Sequence, residues 1–412
     1  MFSESFHPVQ NGVTTSVRTL IAELRRFGHQ VWVFAPEHQD QPEHETNVVR
    51  FPSFVTQFNP EYPLAYPFIP RIKLASQIER LKLDVIHTHT PFVLGLTGAD
   101  LAIRRGIPLV STFHTLYSEY SHYVSFLPEA FTQGLLEAYL PWYYNRCAIV
   151  ICPSNTAADH LMASGVERPT AIVPTGIPIP APDTIDSKAC ASVRARLGVG
   201  ATTPLLLYAG RLAPEKQIGW LLDTFARILD RAPDAVLVIA GGGPRADELA
   251  EQAKSLGIAN STRFLGPVPR TEMDPIYAAA DVFVFPSPSE TQGLVIGEAR
   301  AAGTPAVVID AGGAPETVQH GVDGVRVPEG DQTAFAAGVL DLLEDRELLA
   351  KMSARARETA REQSPERMAL RMLDIYERAR HDVVSPQPGA AFSTDENTDR
   401  KSSVAPRGVA NT

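Results

Sequence analysis

Cysteine is scarce. The chain carries three in 412 residues, Cys147, Cys152 and Cys190, an odd number without the paired spacing of a metal site. That composition excludes a disulfide framework and reads as reduced thiols in a cytosolic chain. Positive charge is in deficit as well: 37 Lys and Arg stand against 47 Asp and Glu, for a formal net charge of −10. A nucleic acid is disfavoured as main partner, because phosphate-backbone binding calls for a basic surface. No apolar run reaches the ~18 residues of a membrane span, so any contact with a membrane would be at its surface. The opening MFSESFHPVQ has neither the basic start nor the apolar stretch of a signal peptide. Short repeats of the solenoid kind are missing too.

What is present is an alternation of short apolar runs with helical periodicity. The runs in the first half are Gln30–Ala35, Asn47–Phe51, Asp84–Thr88, Ile107–Thr112, Ala148–Cys152 and Thr170–Val173. In the second half they are Pro204–Ala209, Ala235–Ala240, Thr262–Leu265, Asp281–Phe285 and Thr304–Ile309. Near-continuous apolar strands belong to sheets covered on both faces, and the βαβα order implies parallel sheets. Between them, Val13, Val17, Leu20, Ile21 and Leu24 share one helical face, and Gly28 follows as a stop. The pattern occurs twice, in a chain long enough for two cores. The expected fold class is therefore α/β, two doubly wound Rossmann-like domains. The break falls in the proline-rich stretch near Pro174–Thr203. Residues 1–175 form the first expected domain, 176–365 the second, 366–384 a final amphipathic helix, and 385–412 a disordered tail. One feature is out of place. The helix near Gly12 should follow a central strand, yet only MFSES precedes its loop. Neighbouring strands would be left with unpaired backbone groups, so a native start several residues upstream is expected.

Three motifs sit at the carboxyl ends of second-half strands, where open α/β sheets place ligands. After DVFVF comes PSPSETQG, with Glu290 in the loop and Glu298 about one turn into the next helix. Thr291 or Ser289 is positioned to cap that helix, leaving the Gly293 and Leu294 amides for an anion. Carboxylates accept hydrogen bonds and suit the hydroxyls of a sugar or ribose; the spacing alone fits a solvated helix residue and a loop charge equally well. In YAGRLAPEK, Arg211 and Lys216 stand at the next helix start, able to neutralise a diphosphate or simply to make salt bridges. Gly242 lies in the AGGGP turn, a weaker signal.

Taken together, Glu290-x7-Glu298, the Arg211…Lys216 pair and the PVQNGV loop resemble the retaining GT-B glycosyltransferases of family four, over about residues 2–380. The resemblance implies two Rossmann-like domains facing across a cleft, an acceptor-binding first domain and a donor-binding second one. It implies that Glu298 holds the ribose of a nucleotide-sugar and Glu290 the transferred hexose. Arg211 and Lys216 would clamp the diphosphate, with Gly12 approaching it from the first domain and His114 near the reacting sugar. Transfer would retain anomeric configuration by front-side attack, the leaving phosphate taking the proton. His87, His89 and His114 near strand ends could suggest a metal, but no carboxylate or cysteine has companion spacing. No Asp-x-Asp pair occurs to hold a cation on the diphosphate, so no metal and no cofactor are expected.

HTHTPFVLGL, STFHTLYSEYSHY and ETQGL, with Gln292, resemble the bacterial monoglycosyldiacylglycerol synthases within that family. The resemblance implies a UDP-hexose donor, a diacylglycerol acceptor and a cytoplasmic enzyme at the inner face of the cell membrane. Tyr117, Tyr120, His122 and Tyr123 are the acceptor candidates. Phe54, Phe58, Tyr62, Tyr66, Phe68, Arg71 and Lys73 would form an apolar and basic docking face, or else pack inside the domain. Alternatives are a soluble or polysaccharide acceptor, phosphatidylinositol with GDP-mannose, an epimerase on the same fold, and a non-catalytic nucleotide-sugar binder. The sequence names neither the hexose nor the oligomeric state.

Overall fold

A computed structural model describes residues 1–56, 59–66, 80–116 and 129–384. Its strands are β1 (Val33–Pro36), β2 (Val48–Phe51), β3 (Ser53–Thr56), β4 (Asn59–Ala65), β5 (Ile86–Thr88), β6 (Leu109–Thr112) and β7 (Ile149–Cys152). They continue as β8 (Thr170–Ile172), β9 (Leu205–Ala209), β10 (Val236–Ala240), β11 (Thr262–Gly266), β12 (Val282–Phe285), β13 (Ala306–Ile309) and β14 (Gly324–Val327). Every expected apolar run overlaps a strand, β1 and β11 each running one residue past it. The β3–β4 antiparallel hairpin and the edge strand β14 were not anticipated. The hairpin segment is rich in proline, and GVRV is too short to carry a pattern.

The second sheet has the order β11-β10-β9-β12-β13-β14, parallel throughout. Each residue of β9, β10, β12 and β13 is buried, as helices on both faces require. The first half pairs β1 with β2 and, separately, runs β5-β6-β7-β8. Phe2 joins the two pieces by bridging Phe34 on one side and Thr88 on the other. The abbreviated strand does not leave its neighbours unpaired at these positions. Phe2 donates to the His87 carbonyl and accepts from His89, both at 2.9 Å. Ser3 donates to Phe34 at 3.1 Å, and Phe34 donates to Met1 at 2.8 Å. With the stub counted first, both sheets reverse direction next to their first strand. That reversal opens a crevice beyond the carboxyl ends of the stub and β5, and another beyond β9 and β12.

Side chains explain why so short a stub holds. The Phe2 ring is fully buried and stacks on Phe34 with centroids 4.4 Å apart. On its other side is Gly98 of the Val93–Arg105 helix, where an added Cβ would lie 2.8 Å from the ring. The Gly12–Arg26 helix buries Val17, Leu20, Ile21 and Leu24, and Gly28 follows it at φ +87°.

Between the sheets the chain is not all linker. Asp186 caps a helix over Ser187–Arg196, whose Val193 belongs to the second core. At the far end, the Pro365–Val384 helix returns to the first half. Its Met368, Ala369, Met372, Ile375 and Ala379 pack with Val17, Leu20 and Val110. The outgoing and returning segments touch: Ile177 N–H donates to the Gln363 carbonyl at 2.7 Å, and a Cβ on Gly176 would stand 2.4 Å from Pro365 Cα.

Phe2→Ala should leave a cavity between Phe34 and Gly98 and destabilise the first half by about 3–5 kcal/mol. Urea unfolding followed on that half should show a lowered midpoint, with a smaller loss for Phe2→Leu.

Candidate active site

The crevice of the second sheet is built from the loops after β9 and β12. The first loop leaves β9 through Gly210 and is pressed onto the turn after β10. An added Cβ on Gly241 would meet the Gly210 carbonyl oxygen at 1.8 Å, and one on Gly243 would meet Leu212 O at 2.4 Å. These two glycines, at φ +149° and +159°, are the ones close packing demands. Gly242 between them accepts a hydrogen bond from Leu212 N–H at 2.8 Å. On the loop so fixed, Arg211 is exposed, and Lys216 ends a short 3-10 turn over Pro214–Lys216.

Lys216 Nζ lies 2.7 Å from Glu290 Oε1 on the loop after β12, both side chains being largely shielded. A cation and a carboxylate are thus brought together from two loops 74 residues apart in sequence. The Leu294–Ala302 helix begins just beyond. Its N-cap is Gly293, at φ +77°, and no side chain caps it. The expected cap by Thr291 or Ser289 is not formed. The left-handed turn at Gly293 separates those side chains from the first helical amides. Thr291 Oγ1 instead donates to the His114 carbonyl at 3.0 Å, reaching into the first half.

Glu298 lies on the fifth residue of that helix and is 7% exposed. Tyr277 Oη donates to its Oε2 at 2.8 Å, and Arg270 Nε pairs with Oε1 at 3.0 Å. Burial, the larger influence, pushes its carboxyl above the ordinary value against the pull of Arg270 and Tyr277. Each oxygen keeps a second lone pair for a ligand hydroxyl. Neither Arg270 nor Tyr277 was found by sequence reasoning, since both come from the preceding helix, Arg270–Ala279.

The first half supplies the opposing wall. Gly12 opens its helix, with Asn11 as cap accepting from Thr14 N–H at 2.9 Å. A Cβ on Gly12 would lie 3.6 Å from Leu294 Cδ1, so two helix starts meet across the domain boundary. Facing helix starts favour an anion between them. His114 follows β6, with its Nε2 3.0 Å from His89 Nδ1. Burial pushes the His114 imidazole down to about 4. His87 lies against His89 with rings tilted by 35° and centroids 4.1 Å apart, and its nitrogens face Tyr376 Oη and Thr112 Oγ1, each at 2.7 Å. Among the described residues, no three His, Cys, Asp or Glu side chains are grouped to hold a metal ion.

Further contacts join the halves. Gln292 accepts from Thr175 N–H at 2.8 Å and donates to the Thr175 carbonyl at 3.1 Å. Glu316 spans the start of the Asn155–Ala163 helix. It accepts from the Asn155 and Thr156 amides at 2.7 Å, and from Asn155 Nδ2 and Thr156 Oγ1 at 2.9 and 2.8 Å. Tyr117, Tyr120, His122 and Tyr123 lie outside the described residues, as do Phe58, Phe68, Arg71 and Lys73. Phe54 and Tyr66 are 38% and 49% exposed on the β3–β4 hairpin and its edge, with rings 5.0 Å apart. Among the described residues, no helix is long and apolar enough to cross a membrane.

Comparison with known proteins gives the family and the fold. Residues 10–179 match the model described as Glycosyltransferase Family 4, and residues 192–359 match Glycosyl transferases group 1. The chain is 34% identical over 314 residues to the alpha-monoglucosyldiacylglycerol synthase of Streptococcus pneumoniae, covering 74% of this chain and 70% of that protein. It is 32% identical over 337 residues to the D-inositol 3-phosphate glycosyltransferase of Thermobispora bispora, covering 78% and 77%. Among solved structures, Anabaena HepE in complex with UDP-glucose superposes with a TM-score of 0.70 at 21% identity, over 92% of this chain and 98% of that one.

The Glu316 contact has a pH dependence. Burial pushes its carboxyl up, but the hydrogen bonds from Thr156 and Asn155 outweigh that and hold it below the ordinary value. A depressed pKa in the joined state stabilises that state above the ordinary carboxylate pKa of about 4.3, and the contribution is lost as pH falls through the depressed value. Small-angle scattering should therefore show the wild type unchanged from pH 7 down to about 4.3 and expanding below it. Glu316→Ala should already be expanded at pH 7.

Proposed function

The chain belongs to glycosyltransferase family 4, and from that premise we propose that it moves a hexose from a UDP-sugar to diacylglycerol at a membrane surface. The observation that carries this reading is the 2.7 Å pair between Lys216 and Glu290. A cation able to neutralise a diphosphate, beside a carboxylate able to accept from sugar hydroxyls, supports a nucleotide-sugar donor at the crevice where α/β sheets bind ligands.

In this reading Glu298 accepts hydrogen bonds from the ribose hydroxyls, its orientation held by Arg270 and Tyr277. Arg211 and Lys216 neutralise the diphosphate, joined by the Gly293 and Leu294 amides and approached closely at Gly12. On donor arrival Lys216 shares its charge between Glu290 and the phosphate, and Glu290 turns its free lone pairs to the hexose. The bond from the anomeric carbon to the phosphate oxygen breaks while the acceptor oxygen bonds to the same face. The acceptor's hydroxyl proton passes to the departing phosphate. His114 binds the hexose next to that centre. The side-chain cations perform the electrostatic work a metal would otherwise do, so neither metal nor cofactor takes part. The acceptor enters from the first domain, with Phe54 and Tyr66 at the membrane headgroups and Tyr117, Tyr120, His122 and Tyr123 as its candidate contacts. The relative named for inositol phosphate favours a second reading, the same transfer to a soluble phosphorylated acceptor.

The two readings separate in a donor screen against a membrane lipid extract and against soluble acceptors, with products weighed by mass spectrometry. The expected product is a monohexosyl diacylglycerol. A product only on soluble acceptors selects the second reading.

Lys216→Ala and Arg211→Ala should each lower turnover by roughly 10²–10³, the usual loss of a preorganised charge-stabilising group. Turnover should survive EDTA; loss restored by magnesium or manganese would contradict the metal-free mechanism. In vesicle sedimentation the wild type should bind anionic vesicles weakly and reversibly, less so at high salt. A Phe54→Ser/Tyr66→Ser double variant should bind less still.

A further inference from the structure

His89 follows β5, and His114 lies two residues beyond β6, which pairs beside β5 in parallel. The facing ring nitrogens, His89 Nδ1 and His114 Nε2, are 3.0 Å apart, a hydrogen-bond distance. The rings lie 27° from parallel, with centroids 5.3 Å apart. His89 is 1% exposed, and its other nitrogen, Nε2, is buried without a hydrogen-bond partner among the described residues. Both imidazoles are kept neutral by burial, reinforced at His89 by its neighbours His87 and His114.

Two neutral rings at this distance share one proton between the facing nitrogens, and a neutral imidazole carries only one N–H. If His114 Nε2–H were the donor, the proton of His89 would sit on Nε2, as a buried N–H with no acceptor among the described residues. If His89 Nδ1–H is the donor, its Nε2 is a bare lone pair, and His114 must carry its own proton on Nδ1. An orphaned buried N–H is the rarer and costlier of the two. His87 leaves this choice unchanged, because both of its nitrogens face hydroxyls that can donate or accept.

We propose that His89 is a positioning residue that fixes His114 in the Nδ1–H tautomer, so that His114 presents a hydrogen-bond donor, not a base, to the bound substrate. The consequence for the transfer rests on the reading of the site given above. A ring locked this way donates to an oxygen of the hexose and cannot accept the proton of the attacking hydroxyl at Nδ1. The proton is left to the departing phosphate, and a group that offers only a donor at that position is rejected.

The tautomers are read directly by long-range 1H–15N NMR of the full chain labelled with 15N-histidine, the signals being assigned with His114→Gln and His89→Asn. Expected are Nδ1–H on His114 and on His89 in the wild type. His89→Leu should release His114 to the Nε2–H form. His89→Asn, whose amide N–H stands where Nδ1–H does, should hold it as Nδ1–H. With UDP-hexose and diacylglycerol, His89→Leu should lower kcat by about ten- to a hundredfold, less than the removal of a donor outright. KM for the lipid should hardly change, and His89→Asn should restore most of the rate. An Nε2–H His114 in the wild type overturns the proposal without any variant. So does a His114 that stays Nδ1–H in His89→Leu. If the tautomers are as expected but no acceptor is glycosylated, the functional reading fails and the tautomer assignment stands.

Discussion

The primary amide of Gln292 is the contact on which the two-sided site depends. It pairs with both backbone groups of Thr175, as a strand partner would, and so ties the first residues of the inter-domain segment to the loop after β12. Thr317 Oγ1 donates to the Gln292 carbonyl at 2.7 Å, and Thr175 Oγ1 donates to Ser16 Oγ in the Gly12–Arg26 helix at 2.9 Å. A buried set of hydrogen bonds thus links the Gly12–Arg26 helix to the loop that leads into the Leu294–Ala302 helix. It helps hold the two helix starts, at Gly12 and Leu294, against each other. A hydrophobic residue at 292 could fill the space but would leave both Thr175 groups to find other partners.

The strands were legible because parallel strands covered on both faces must be apolar along their whole length, and VFVF or VLVIA reads as little else. The ligand crevice was legible for a related reason. Once β9 and β12 are placed, YAGRLAPEK and PSPSETQG can only be their carboxyl-end loops. Recognition of the family then gave those residues roles that spacing alone left open. What stayed hidden were partners far apart in sequence. Nothing in VPRTEMDPIY announces that Arg270 and Tyr277 will hold Glu298, and nothing in the last helix's amphipathic pattern says that Tyr376 reaches His87. Periodicity reports which face is buried, not against what. The failed expectation of a Thr291 or Ser289 cap has the same origin. Those residue types do favour helix starts, yet Thr291 was needed across the boundary, and Gly293 turned the chain instead.

Charge is treated differently in the two halves. The second crevice keeps formal ions and balances them in pairs, Lys216 with Glu290 and Arg270 with Glu298. The first keeps neutral imidazoles, pushed below their ordinary range by burial, with His89 facing His114 nitrogen to nitrogen and His87 facing two hydroxyls. A ligand with a charged end and a neutral reacting end would find each end matched.

The returning Pro365–Val384 helix has a mechanical consequence. The chain passes between the halves at Gly176–Ile177 and again at Gln363–Pro365, and these two passages lie against each other. The covalent connection is therefore a neck two chains wide at one place, not two tethers set apart. Such a neck behaves as a jaw joint: a few degrees of backbone rotation there become ångströms at the far lip of the cleft. The missing side chain at Gly176 is what lets the two passages close to that spacing, so a residue with no side chain sets the pivot about which the cleft can move.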